Sequence, residues 1–127
     1  MKIRITSIPV DDQEKAIQFY TGKLGFVKKN DVPVGDFRWL TVVSPGEEDG
    51  IELLLEPIGF EPARVYQQEL HKAGIPYTSF VVEDMAKEQE RLLAAGVVFQ
   101  SEPMKVGDVV MAVIDDTCGN LLQLVQP

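Results

Sequence analysis

Among the 127 residues there is one cysteine, Cys118, and one histidine, His71. A single cysteine cannot close an intrachain disulfide, and nothing in the sequence points to an oxidising compartment. Basic residues are also scarce: 12 Lys and Arg stand against 20 Asp and Glu, a net charge of −8 at pH 7. There is no Lys/Arg cluster with which to neutralise phosphates, which argues against nucleic acid as a partner and disfavours an anionic membrane surface. Long apolar runs are missing too, so no segment reaches the ~20 residues that cross a bilayer as a helix. The opening "MKIRITSIPV" alternates charged and apolar residues and lacks the apolar stretch of a secretory signal. These absences make the cytoplasm the expected compartment. What is present is an ordinary soluble composition, 45% hydrophobic and 25% charged, of a size for one domain or two small fused halves.

The chain resembles itself. "VDDQEKAIQFYTGKLGF" (Val10–Phe26) and "VEDMAKEQERLLAAGVV" (Val82–Val98) share one order: an apolar strand end, an acidic pair, a helix, a glycine, then an apolar strand. Val10 matches Val82 at an offset of 72 (82 − 10), and Gly25 matches Gly96 at 71 (96 − 25). In the first half, Lys2–Val10 reads as a strand. Asp11 or Asp12 caps a helix, with Glu14 three residues after Asp11 as in a capping box. Ile17, Tyr20 and Leu24 fall on one face of that helix. "FVKKN", "FRWLTVV" and "GIELLLEP" follow as strands. In the second half "IPYTSFVV" is the first strand, and Asp84 starts a helix whose Met85, Leu92 and Ala95 share a face. "VVFQ", "VVMAVI" and "NLLQLVQ" then follow as strands.

The pattern predicts an α+β fold of two tandem βαβββ modules, in which a curved mixed sheet surrounds a cleft that makes a natural ligand site. Residues 1–57 form module 1, residues 61–74 a linking helix, and residues 75–127 module 2, within a single domain spanning 1–127. In the linking helix Pro62 suits the first turn, Ala63, Tyr66, Leu70 and Ala73 share a face, and Gly74 suits the C-cap. The turn "DDTCGN" (Asp115–Asn120) needs positive φ at Gly119 or Asn120. Phe26, Phe80, Phe99 and Met111 read as core.

Paired βαβββ modules, together with "VDDQEKAIQFYTGKLGF", "IELLLEP" and "DDTCGNLLQL", resemble the vicinal oxygen chelate superfamily, also called the glyoxalase, bleomycin-resistance and extradiol-dioxygenase superfamily. The resemblance covers nearly the whole chain. It implies a homodimer, and a divalent metal in the cleft held by a His or Gln on the first strand of each module and a Glu on the last. Such an ion keeps open positions for two neighbouring substrate oxygens. Carried onto this chain, the four slots are Ile5, Glu52, Tyr77 and Gln123. Isoleucine has no donor atom, and tyrosine ligates poorly while its phenol, with a free pKa near ~10, is protonated. Gln123 offers a neutral carbonyl oxygen that binds hard ions weakly. Only Glu52 matches, so Glu52 and Gln123 would be the ligands of at most a weak divalent site, and no cofactor is expected. His71 lies on the linking helix, about ten or more ångströms from the slot by chain geometry, and reads as a surface residue. Cys118 reads as structural.

Glu52, inside an apolar strand, is the residue on which function turns. It is read as a relic on a partly wet strand, as the group that binds a polar or cationic ligand, or as a metal ligand or catalytic base. Strand parity places Glu52, Leu54 and Glu56 on one face, Tyr77 and Ser79 on another, and Leu121, Gln123 and Val125 on a third. In "DFRWLTVVS" either Arg38 and Leu40 or Phe37 and Trp39 face the ligand. Arg38 could hold a carboxylate or phosphate, and Trp39 could stack on a flat group. The ligand-binding set is thus Arg38, Trp39, Glu52, Leu54, Tyr77, Ser79 and Gln123. Two functions stand. One is a protein of bleomycin-resistance type that binds an apolar or cationic small molecule without a tightly held metal. The other is a divalent-metal-dependent lyase or extradiol-dioxygenase-type enzyme that uses Glu52 with substrate oxygens.

Overall fold

A computed structural model describes residues 1–127. The chain divides into two compact units, Met1–Val65 and Tyr66–Pro127. The first contains β1 (Ile5–Val10), α1 (Gln13–Ile17) continued by a π-helical segment (Gln18–Lys23), β2 (Val27–Val34), β3 (Phe37–Val43) and β4 (Glu52–Pro57). Helix α2 (Glu61–Lys72) spans the division. The second contains β5 (Thr78–Val81), α3 (Met85–Ala94), β6 (Met104–Val106), β7 (Val109–Asp115) and β8 (Leu121–Gln126). Each unit holds one four-stranded mixed sheet, in the orders β1-β4-β3-β2 and β5-β8-β7-β6. In each, the first strand runs parallel to the last and the remaining pairs are antiparallel. The βαβββ repeat of the α+β fold is therefore observed twice, each time with its own four-stranded mixed sheet.

The repeat extends to the caps and turns. Asp12 accepts from Lys15 N at 2.9 Å and Asp84 from Lys87 N at 3.1 Å, again an offset of 72 (84 − 12). Asp12 is the cap, and Glu14 turns instead to Gln18 and Arg38, so the capping box built on Asp11 does not form. Between Asp12 and Gly25 there is one residue more than between Asp84 and Gly96. The π-helical segment Gln18–Lys23 occurs in the longer stretch, and a widened turn is the usual way for a helix to absorb one extra residue while keeping both ends in place. Here it keeps Phe19 and Tyr20 buried.

One face of each sheet packs on its own helix. In the first unit Ile8, Val10, Leu40, Val42, Leu53 and Leu55 are buried with Ala16, Ile17, Phe19 and Tyr20. In the second Ala112, Ile114, Leu122 and Leu124 are buried, as are Met85 and Leu92 of α3. At about 1.5–3 kcal/mol for each large apolar side chain fully removed from water, these faces supply most of the driving force.

Several expectations are corrected. β1 begins at Ile5, and residues 2–4 are exposed. Ala95 is exposed, and Phe26, Phe80, Phe99 and Met111 are half-buried rather than core. "VVFQ" is no strand: Phe99 makes a single bridge to Ile114. The strand is Met104–Val106, because the two-residue turn Gly107–Asp108 folds Val106 directly onto Val109. On α2 the buried residue is Gln67, while Tyr66 is exposed. Gln67 Nε2 donates to Asn120 Oδ1 at 3.0 Å and to the Cys118 carbonyl at 3.3 Å, so a polar side chain is the one that suits the turn beneath it.

Candidate functional site

The sheet face opposite α1 carries Glu52. Register fixes its neighbours: Ile5 pairs with Glu52, Ser7 and Thr41 both pair with Leu54, Asn30 pairs with Thr41, and Trp39 with Val32. Ile5, Glu52, Leu54, Thr41, Trp39, Asn30 and Val32 therefore share one side. Phe37 and Trp39 lie on it, whereas Arg38 and Leu40 lie on the helix side. A register shift between Lys28 and Asn30 sets Asn30 opposite Thr41. Asn30 N and Nδ2 then both donate to Thr41 Oγ1 at 3.2 Å.

These two residues hold the carboxylate. Asn30 Nδ2 and Thr41 Oγ1 each donate to Glu52 Oε1 at 2.8 Å. Both bonds fall on one oxygen, and Oε2 takes no donor from the chain. Thr41 is buried and Glu52 half-buried. Around them Ile5, Val32 and Trp39 are exposed and Leu54 half-buried. The result is an anchored acceptor in an apolar surface.

Arg38 does not join this group. Its guanidinium grips Asp31 with two bonds, Nε to Oδ1 at 2.9 Å and Nη2 to Oδ2 at 2.8 Å, and reaches Glu14 at 2.7 Å. Hydrogen bonding to Arg38 lowers the Asp31 pKa to about 2 and lowers that of Glu14 as well, and Arg38 is raised in turn, chiefly by Asp31. Its backbone is held as well. Gln13 Oε1 accepts from Arg38 N at 3.0 Å, while Gln13 Nε2 donates to the carbonyls of Arg38 at 2.7 Å and Leu55 at 2.9 Å. β3 and β4 pair only at Thr41–Leu54 and Val42–Leu53, and beyond that the Gln13 amide stands in for the missing ladder.

In the second sheet the last-strand position is Gln123. Its parallel partner is Ser79, whose Oγ donates to Gln123 Oε1 at 2.9 Å; Gln123 Nε2 points to Met111 Sδ at 3.2 Å. Tyr77 precedes β5, its N–H bonded to the Leu121 carbonyl and its ring edge-on to Tyr66 at 6.0 Å. Ser79 and Gln123 are thus brought together, and Tyr77 sits at the level of Leu121. His71 Nε2 lies 2.9 Å from Asp115 Oδ2, on α2. Cys118 is buried in the β7–β8 turn. Asn30, Thr41 and Gln13 were not foreseen. Asn30 and Thr41 carry no motif: the β3–β4 pairing brings Thr41 to Glu52, and the bulge in β2 brings Asn30. No three His, Cys, Asp or Glu side chains gather into a set that could hold a metal, and no helix is long and apolar enough to cross a membrane.

Comparison with known proteins places the chain among relatives. The family model described as Glyoxalase/Bleomycin resistance protein/Dioxygenase superfamily matches residues 2–124. The uncharacterized protein YurT of Bacillus subtilis (strain 168) is 56% identical over 126 residues, covering 99% of each chain. A lactoylglutathione lyase of Neisseria meningitidis (serogroup A, strain Z2491) is 30% identical over 132 residues, covering 99% of this chain and 91% of that one. Among solved structures, TnmS3, an antibiotic binding protein from Streptomyces sp. CB03234, superposes with a TM-score of 0.78 at 27% identity, over 100% of this chain and 96% of that one.

Proposed function

We propose that this chain, which belongs to the glyoxalase/bleomycin resistance protein/dioxygenase superfamily, binds a small organic molecule on the Glu52 face of its first sheet, without a tightly held metal. The observation that carries this reading is the carboxylate itself. Glu52 is fixed through Oε1 by Asn30 and Thr41, keeps Oε2 open, and is set among Ile5, Leu54, Val32 and Trp39. Such a patch offers apolar area for affinity and one acceptor for orientation. The antibiotic-binding relative supports the same class of activity. As in the resemblance, two chains would pair, and the protein would work in the cytoplasm.

The residues in the family's metal slots do not fit a tightly bound divalent ion. Ile5 has no donor atom. Glu52 has one oxygen committed to two donors, and Gln123 Oε1 already accepts from Ser79. Tyr77 is a phenol that ligates poorly while protonated, and neither sheet by itself supplies the three or four ligands such an ion takes. The enzymatic reading, a divalent-metal lyase or dioxygenase, is favoured by the lyase relative and by the position of Glu52.

One pair of titrations tests the proposal. In a thermal-shift screen of flat aromatic compounds, a ligand at about 100 times its Kd should add about 2.7 kcal/mol, several degrees of Tm. Calorimetry of the metal-stripped protein with Mn²⁺, Ni²⁺, Zn²⁺ and anaerobic Fe²⁺ should show no micromolar binding that Glu52→Gln removes. If such binding is found, the lyase reading takes its place.

A further inference from the structure

The Glu52 carboxylate has no ion-pair partner within the chain. Asn30 and Thr41, which hold the carboxylate, are both neutral. The basic side chains of the surrounding strands and loops are engaged elsewhere. Arg38 is bound to Asp31 and Glu14, and Lys28 pairs with Asp31. Lys29 donates to the Glu48 carbonyl and Arg4 to that of Asp49. No ion pair reaches Glu52. A half-buried carboxylate without a counter-charge favours whatever brings one.

An aromatic surface lies beside it. Trp39 is two residues along β3 from Thr41, a step of about 6–7 Å, on the same side of the sheet. It is 40% exposed. The Glu52 carboxylate is bonded to Thr41, and Trp39 is the next residue of β3 on the same side, so an indole and an anchored carboxylate flank one stretch of the face and complement a positive nitrogen on or beside a ring.

From this we infer the ligand class, resting on the reading above: the Glu52 face takes an organic cation with a flat apolar body, its positive nitrogen at Glu52 Oε2 and its ring on Trp39. Ligands that present a carboxylate or phosphate there meet the Glu52 charge, which no ion pair of the chain offsets.

Three probes of one ring size test the assignment: N-methylquinolinium, quinoline, and quinoline-2-carboxylate, each titrated at neutral pH. Trp39 is the one tryptophan in the chain, so its fluorescence reports occupancy directly. The cation should bind about tenfold or more tighter than quinoline, a margin in the range of one charge pair, and the carboxylate should bind weakest. Raising the salt should narrow the gap. Glu52→Gln, close in shape to the native residue, should bring the cation down to the level of quinoline and leave quinoline unchanged. Trp39→Leu, followed by calorimetry, should weaken cation and quinoline alike. Equal binding of cation and quinoline overturns the assignment, as does a preference that survives Glu52→Gln. If none of the three binds, the assignment also falls. The small-molecule reading then stands if the thermal-shift screen yields a neutral or anionic ligand that protects Trp39, and falls with it if no compound binds.

Discussion

The two modules share strand order, cap and hairpin, yet they are braced differently. In the first, β3 and β4 part after two residue pairs, and side chains close the gap: the Gln13 amide bridges Arg38 and Leu55, and Arg38 ties Asp31 to Glu14. In the second, β7 and β8 stay paired from Asp115–Leu121 to Val110–Gln126. Its brace lies in the turn, where Asp116 Oδ1 accepts from Cys118 N at 2.7 Å and Asn120 N at 2.9 Å, and Oδ2 from Asn120 Nδ2 at 2.7 Å. The same division appears at the matching sites, where Glu52 is a carboxylate with an open oxygen and Gln123 is an amide with both ends engaged. A duplicated framework holds its backbone plan while the braces and the chemistry of each half diverge. One half stays closed, and the other is left with a charge to offer.

The turn of the second module should be the harder to disturb without loss. Asp116 is fully buried. Asp116→Ala would leave two backbone N–H groups and the Asn120 amide short of an acceptor, and we expect a cost of about 3 kcal/mol in urea unfolding. A cost under about 1 kcal/mol would mean that the turn is held by its backbone alone. Gly119, at φ +102°, is fixed by the same packing, since a Cβ there would meet the Gln67 side chain at 2.6–2.8 Å. In the first module Gln13→Ala removes three partly buried hydrogen bonds, and we expect about 2 kcal/mol. Hydrogen exchange should locate the loosening at the start of β3, around Arg38. If exchange quickens in the second sheet instead, the two braces are not local to their modules.

Much of the framework was legible as a repeat. Offsets of 72 tie together the caps Asp12 and Asp84. They also tie the hairpin turns "VGDF" and "VGDV" (residues 34–37 and 106–109), a match that would have located β6 in place of "VVFQ". The fall of the offset to 71 at Gly25 and Gly96 was visible as well, and its physical form is the π-helical segment. Strand parity put Glu52 and Leu54 on one face, and it left open the choice between Arg38 and Trp39, which the register decides. Glu52's partners were not legible. Asn30 lies 22 residues and Thr41 11 residues away in sequence; Thr41 reaches Glu52 through the β3–β4 register, and Asn30 through a bulge that no residue in "VKKND" announces. Gln13 was hidden for a similar reason: a glutamine in a first helical turn reads as solvent-facing until a gap in the sheet gives its amide something to bridge.

The smallest effect that separates the modules is one of pH. Asp31 titrates normally near 3.8 and is lowered to about 2 by its hydrogen bonds with Arg38. A folded-state pKa below the unfolded one contributes stability above the ordinary carboxylate value, and that contribution is lost as pH falls through the folded value. The stability difference between the native chain and Asp31→Asn should therefore be constant at neutral pH. It should shrink as pH drops from about 4 toward about 2, where the native carboxyl takes up its proton. The groups are open to solvent, so the difference is small and about 1 M salt should suppress it. A difference that persists unchanged to the lowest pH would show that Asp31 braces β2 and β3 by shape and neutral hydrogen bonds. The first module would then owe its acid sensitivity, if any, to another carboxylate.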